Sequence, residues 1–241
     1  MEASEYDNIA RLEDRHWWYV GMRRIAERFV QELGLRPGAR ILDAGCGTGG
    51  GLRWLAAFGQ TTGVDFHPLA VRYASQSSSR VARASIQALP FPASTFDLVT
   101  SFEVLYHLAV ADDVAALREL ACVLRPGGWL LARVPAHDWL RGVHDRQVHT
   151  RHRYGKQELE EKIRAAGLGL RRLTSVGLLL LPVAVLRRLT QRDEAAHTDV
   201  TLPPPVVNHA LTAALAAEGR WLDRFDLPAG LSLLALAQKP G

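Results

Sequence analysis

The chain has 241 residues, 48% of them hydrophobic, and a formal net charge of +4. That length and apolar content suit one large α/β domain with a sizeable core and exclude an intrinsically disordered chain. No apolar run reaches the roughly 18 residues of a membrane span, and the start "MEASEYDNIARLEDR" lacks the basic-then-apolar layout of a signal peptide, so a cytoplasmic protein is expected. Cys46 and Cys122 make no disulfide framework and have no metal-ligand spacing, which fits a reduced compartment. Basic residues are nearly all arginine, a usage that points to a GC-rich bacterial genome.

In chain order, "DNIARLEDRHWWYVGMRRIAERFVQELG" predicts one or two helices stopped by Gly34, and "ARILDAG" predicts a strand buried on both faces. "GGGLRWLAAFG" reads as a helix to Gly59, "TTGVDF" as a second strand, and "PLAVRYASQ" as a helix with proline in its first turn. "SRVARAS" and "FDLVTSF" are further strands. Asp112 or Asp113 can cap the helix "VAALRELACVL", and "RPGG" turns the chain into the strand "WLLARVP". A basic stretch, residues 141 to 156, precedes the helix "KQELEEKIRAAG" and the strand "LGLRRLTSVG". Residues 178 to 228 read as helical, broken by Pro182 and by the prolines at 203 to 205, before a last strand "LSLLALAQKP". Strands alternating with helices imply right-handed crossovers and a parallel, doubly wound sheet.

The turn after the first strand, "DAGCGTGG", lies where such sheets bind ligands, beyond the carboxyl ends of the strands. Gly45, Gly47 and Gly49 let backbone approach a ligand closely. Their spacing is G-x-G-x-G, not the G-x-G-x-x-G of a dinucleotide site, which disfavours a dehydrogenase. Asp43 ahead of them would repel a pyrophosphate but suit a cationic ligand. Asp65, 22 residues after Asp43 at the end of the second strand, is placed to accept hydrogen bonds from ribose hydroxyls.

"ILDAGCGTGG", "GVDF", "ALPFPASTFDLV", "FEVLYHL" and "VLRPGG", in this order and spacing, resemble the class I S-adenosylmethionine-dependent methyltransferases, in particular the quinone-biosynthesis type and related small-molecule enzymes. The resemblance spans residues 39 to about 135. It implies a Rossmann-like sheet of seven strands, mostly parallel with the last antiparallel. A single domain 1–241 is expected: a helical arm at 1–34, a cofactor-binding core at 35–135, acceptor-side insertions at 136–154 and 178–228, and the last strand at 229–241. It also implies S-adenosyl-L-methionine as cofactor, lined by Gly45, Gly47 and Gly49, with Asp43 and Ser101 in the same set. Asp65 would hold both ribose hydroxyls and Phe66 would lie beside the adenine. Relatives place an acid two residues before Gln87, where this chain has Ser85. Adenine recognition would then rest on the Ser85 hydroxyl, on backbone at Ile86 and on packing. "HWWYVGMRR" resembles an arm folded over the cofactor, putting Tyr19 and Arg23 near its methionine portion; an amphipathic helix burying Trp17 and Trp18 explains the same residues.

Methyl transfer to a hydroxyl or carbon acid needs a proton acceptor, and His107 follows the fourth strand beside the cofactor, paired with Glu103 at i, i+4 spacing. Both residues bracing this loop is the structural alternative. In "VHDRQVHTRHRY" the residues His144, Asp145, His149 and His152 could in principle hold a metal, but nothing fixes them on one face, and no metal is expected. The stretch resembles instead an acceptor-side segment of relatives, with His149, Arg153 and Tyr154 facing the acceptor; a solvated basic loop whose tyrosine packs on the sheet is the alternative. "VGLLLLPVAVLRRLTQR" reads as a lid over a partly apolar acceptor, with contact to a membrane surface as the other use of such a segment. The expected partner is a small-molecule acceptor taking the methyl group on oxygen or nitrogen. An RNA methyltransferase and a non-catalytic protein keeping the fold are the competing readings.

Overall fold

The computed structural model describes residues 3–142, 145, 146, 148–190 and 201–241, with side chains from Glu5 to Leu186 and from Thr201 onward within those ranges. Two helices, α1 (Ala3–Leu12) and α2 (Trp17–Glu32), precede β1 (Arg40–Ala44). Then follow α3 (Gly50–Leu55), β2 (Gln60–Asp65), α4 (Pro68–Ala74), β3 (Val81–Arg83), β4 (Phe96–Phe102), α5 (Asp113–Val123) and β5 (Leu124–Pro135). The chain ends with α6 (Lys156–Ala165), β6 (Gly169–Val176), α7 (Leu181–Thr190), α8 (Pro205–Leu222) and β7 (Ser232–Gln238). The seven strands form one sheet in the order β3-β2-β1-β4-β5-β7-β6, parallel except that β7 runs antiparallel to both its neighbours.

The two-residue period of the strands sorts the core into two clusters, one on each face. Leu42, Val99 and Leu130 pack with Leu117 and Leu120 of α5 and with Leu159 and Ile163 of α6. Their neighbours Ile41, Leu98 and Leu131 pack on the other face with Met22, Ile25 and Phe29 of α2 and with Leu215 and Leu222 of α8. The α2 helix is therefore clamped between the sheet and α8, which fixes the face it turns toward the strand ends.

Several boundaries differ from the sequence reading for local reasons. The first core helix stops at Leu55 rather than Gly59, because Gln60 N–H already bonds to the Ala39 carbonyl (2.7 Å) to start β2 beside β1. "RPGG" belongs to β5 as a bulge: Phe96 pairs with Leu124, but Leu98 pairs with Trp129. Pro182 does not break a helix. It sits in the first turn of α7, where no intrahelical N–H is needed, and Pro205 likewise opens α8.

Candidate active site

The carboxyl ends of β1, β2 and β4 border one cavity of about 330 Å³, within the range of small-ligand pockets. At its β1 and β2 end the turn from β1 to α3 is tied to the acid that closes β2: Gly47 N–H donates to Asp65 Oδ2 (3.0 Å) and His67 N–H to Oδ1 (2.9 Å). Burial pushes the Asp65 carboxyl up, partly opposed by those two backbone bonds. Asp43 lies beneath the turn and accepts a bond from the Thr100 hydroxyl (2.8 Å). Burial raises it to about 6, with the Thr100 bond pulling the other way. Gly51 allows this packing, since a Cβ there would overlap Asp43 Oδ2. Phe66, Ser85 and Ile86 line the same end. Phe66 is 59% exposed, with the Arg83 guanidinium 5.8 Å from its ring centre. The Ser85 hydroxyl accepts from Gln87 N–H (3.2 Å) and keeps its own proton to donate.

The α1 segment lies across this end. Tyr6 stacks on His67 with ring centres 4.6 Å apart, and Tyr73 bonds Asp7. Glu13 accepts the Thr48 hydroxyl (2.6 Å) and pairs with Arg53 (2.9 Å), while Asp14 pairs with Arg53 (3.0 Å) and Arg23 (3.3 Å). On α2, Trp17 and Trp18 pack against the core while Tyr19 and Arg23 line the cavity, on different faces of one helix.

At the other end, Phe102 and Glu103 close β4, Arg133 projects from β5, and Trp54 of α3 stacks near Phe102 (6.4 Å, 27°). Glu103 is held at φ +61°, with its N–H on the Arg133 carbonyl (3.0 Å) and its Oε1 on Arg133 Nε (2.8 Å). The expected Glu103 to His107 pair at helical spacing is therefore corrected: residues 103 to 107 are not helical and the carboxylate faces Arg133. His107 does line the cavity. Its Nδ1 accepts Ala109 N–H (3.1 Å), and burial, with His149 nearby, lowers the imidazole to about 4.

Five expected site residues do not line the cavity. Gly49 serves helix packing, since a Cβ would lie 2.9 Å from Ala74 Cα. Ser101 is fully buried in β4. His149 stands behind His107, ring centres 5.7 Å apart, in a second surface cleft with Arg141 and Arg146. Tyr154 is buried, donating its hydroxyl to Asp113 (2.7 Å) and to the Leu105 carbonyl, while Arg153 makes a two-bond pair with the buried Asp145. The tyrosine thus acts as a core strut. His144 lies outside the described residues. His152 meets Glu158 and Asp113 rather than the other histidines, and the Lys162 ammonium already bridges those two carboxylates (2.6 and 2.8 Å).

The insertion at 178–228 also departs from expectation. None of its described residues lines the cavity: Leu215 and Leu222 are buried against α2, while Leu179, Val183 and Leu186 face outward. Its buried leucines pack against α2, the helix that carries Tyr19 and Arg23. Conversely, sequence reasoning missed Thr48, Glu13, Tyr6, Trp54 and Arg133. Only Arg133 carried a signal, a charge inside the apolar run "WLLARVP".

A doubly wound sheet with a glycine turn after β1 and an acid closing β2 defines a nucleoside-type crevice. Residues 42–132 match the family described as "Methyltransferase domain". The chain is 30% identical over 233 residues, 85% of its length and 95% of the relative's, to a ubiquinone biosynthesis O-methyltransferase of Xanthomonas campestris pv. campestris (strain B100). It is 32% identical over 141 residues, 52% of this chain and 55% of the relative, to a ubiquinone/menaquinone biosynthesis C-methyltransferase of Shewanella woodyi. Among solved structures, a chain of the complex between the Haloferax volcanii Trm112 methyltransferase activator and a methyltransferase superposes with a TM-score of 0.63 at 24% identity, covering 99% of this chain and 97% of that one. The chain belongs to the class I S-adenosylmethionine-dependent methyltransferases, a family whose methyl donor is S-adenosylmethionine.

Proposed function

We propose that this enzyme moves the methyl group of S-adenosylmethionine to an oxygen or nitrogen of a small, partly apolar acceptor seated over the ends of β4 and β5. The observation that carries the reading is the continuity of one cavity, from Asp65 and the glycine turn to Trp54, Phe102 and Arg133. Asp65 supports a ribose at the β2 end, since each carboxylate oxygen accepts one backbone N–H and retains a second acceptor site. Asp43 suits a cation beside the turn, and Phe66 with Ile86 offers an apolar seat for a purine. When bound, the donor supplies an electrophilic methyl group on positively charged sulfur. The protein's task is then to hold the acceptor in line and to exclude water; positioning of this kind supplies roughly 7 to 11 kcal/mol. The α1 segment, fastened through Glu13 and Asp14, performs the exclusion.

The test is calorimetric binding of S-adenosylhomocysteine, followed by transfer of label from methyl-labelled donor to a panel of small acids, phenols, alcohols and amines, with RNA as the competing acceptor. Binding together with transfer to a small molecule is the expected result. Label entering RNA alone, or no binding, overturns the reading.

A further inference from the structure

We infer that the acceptor is a carboxylate on an apolar or aromatic skeleton, gripped by the terminal guanidinium nitrogens of Arg133 and methylated on oxygen. This deepens the proposed function and rests on it. Strand order places the residue: β4 and then β5 lie on the side of β1 away from β2, so Arg133 stands at the far end of the cavity from Asp65. Its side chain is only 11% exposed and lies over Phe102, 5.3 Å from the ring centre. Nε is spent on Glu103 (2.8 Å), while the two terminal nitrogens make no hydrogen bond among the described residues. A guanidinium so desolvated, with its two terminal nitrogens unused, lying over Phe102 in a cavity that Trp54 and Met22 also line, matches a carboxylate by two-bond geometry. Glu103 sets the plane of the fork.

The proton inventory agrees. Nδ1 of His107 already accepts Ala109 N–H, and burial lowers the imidazole to about 4, which makes it a poor proton acceptor. Glu103 is held by Arg133, and burial pushes the Tyr19 hydroxyl up to about 12. An alcohol or an ammonium must shed a proton during transfer. A carboxylate need not: its oxygen bonds the methyl carbon as the carbon–sulfur bond breaks with its electron pair to sulfur, giving a methyl ester and the neutral thioether.

The test uses three probes on one skeleton, 3-phenylpropanoate, 3-phenylpropanol and 3-phenylpropylamine, with the full chain saturated in S-adenosylhomocysteine. Calorimetry should find the acid bound at least about tenfold more tightly than the other two. With labelled donor, the methyl ester should be the product. Arg133→Gln should remove the preference for the acid while affinity for S-adenosylhomocysteine stays within about threefold. Should that variant fail to fold, the probe comparison on the parent chain decides. Equal or weaker binding of the acid, absence of binding included, overturns the inference, as does loss of S-adenosylhomocysteine affinity in a folded Arg133→Gln, which would assign the arginine to the donor's own carboxylate. Transfer to the alcohol or amine but not the acid sinks the inference alone; no transfer to any small molecule sinks the proposed function as well.

Discussion

At the β1 and β2 end of the cavity much of the wall is backbone: the turn from Gly45 to Gly51, the N–H groups of Gly47 and His67, and one carboxylate to which they bond. At the β4 and β5 end it is side chain: Trp54, Phe102, Glu103 and Arg133, with Tyr19 and Met22 leaning in from α2. A backbone wall demands particular residues at particular positions, because glycine is required wherever another atom fills the place of a Cβ. A side-chain wall tolerates exchange, since each group is held by packing that can be rebuilt. The first end suits a constant ligand and the second a varying one.

Mutations test this contrast from both sides. The largest effect is expected for Asp65→Ala, which removes the carboxylate proposed for both ribose hydroxyls; at roughly 1.5 to 3 kcal/mol for each bond to a charged group, affinity for S-adenosylhomocysteine should fall by about 10² or more. Unchanged affinity by calorimetry would remove the ribose assignment. Gly51→Ala comes next. Its Cβ must displace Asp43, so overpacking of about 1 to 3 kcal/mol should appear in thermal unfolding together with weakened cofactor binding.

Tyr154→Phe should cost about 1.5 to 3 kcal/mol of stability, by stripping Asp113 of a buried donor, and leave the kinetics of acceptor and donor as they were. A raised acceptor Michaelis constant in the folded variant would return Tyr154 to the site. The pH dependence of binding is a subtler probe. Asp43 has its folded value raised to about 6, so its contribution to stability is present at low pH and lost as pH rises through that value. A cationic sulfonium favours the ionised form. Affinity for S-adenosylmethionine should therefore climb, by up to about tenfold, as pH rises through 6, while S-adenosylhomocysteine, uncharged at sulfur, changes less. The smallest effect belongs to His107→Ala. A general base contributes about 10² to 10⁴, whereas loss of an imidazole whose Nδ1 already accepts Ala109 N–H should cost less than about tenfold in turnover.

The sheet class and the existence of the strands were legible in the chain itself. Runs such as "RILDA" and "FDLVTSF", short, apolar and bounded by turn residues, suit a buried strand, and the glycines after Asp43 mark the turn that follows β1. The side-chain wall at the β4 and β5 end of the cavity was not. His107, Glu103, His149 and Tyr154 share residue types suited to catalysis, but type does not say where a side chain points.

Sequence alone therefore determined what depends on local conformation: the period of burial, the glycine positions, the acid that ends β2. Tertiary structure decided the rest, because it sets distances between residues far apart in the chain. It turned Tyr154 into a strut 41 residues from its partner Asp113 and set Glu103 on Arg133 across 30 residues rather than on His107. It also carried Glu13 to Thr48, 35 residues away, in the turn between β1 and α3. Such pairings follow from strand order and helix packing, which no short stretch of sequence contains.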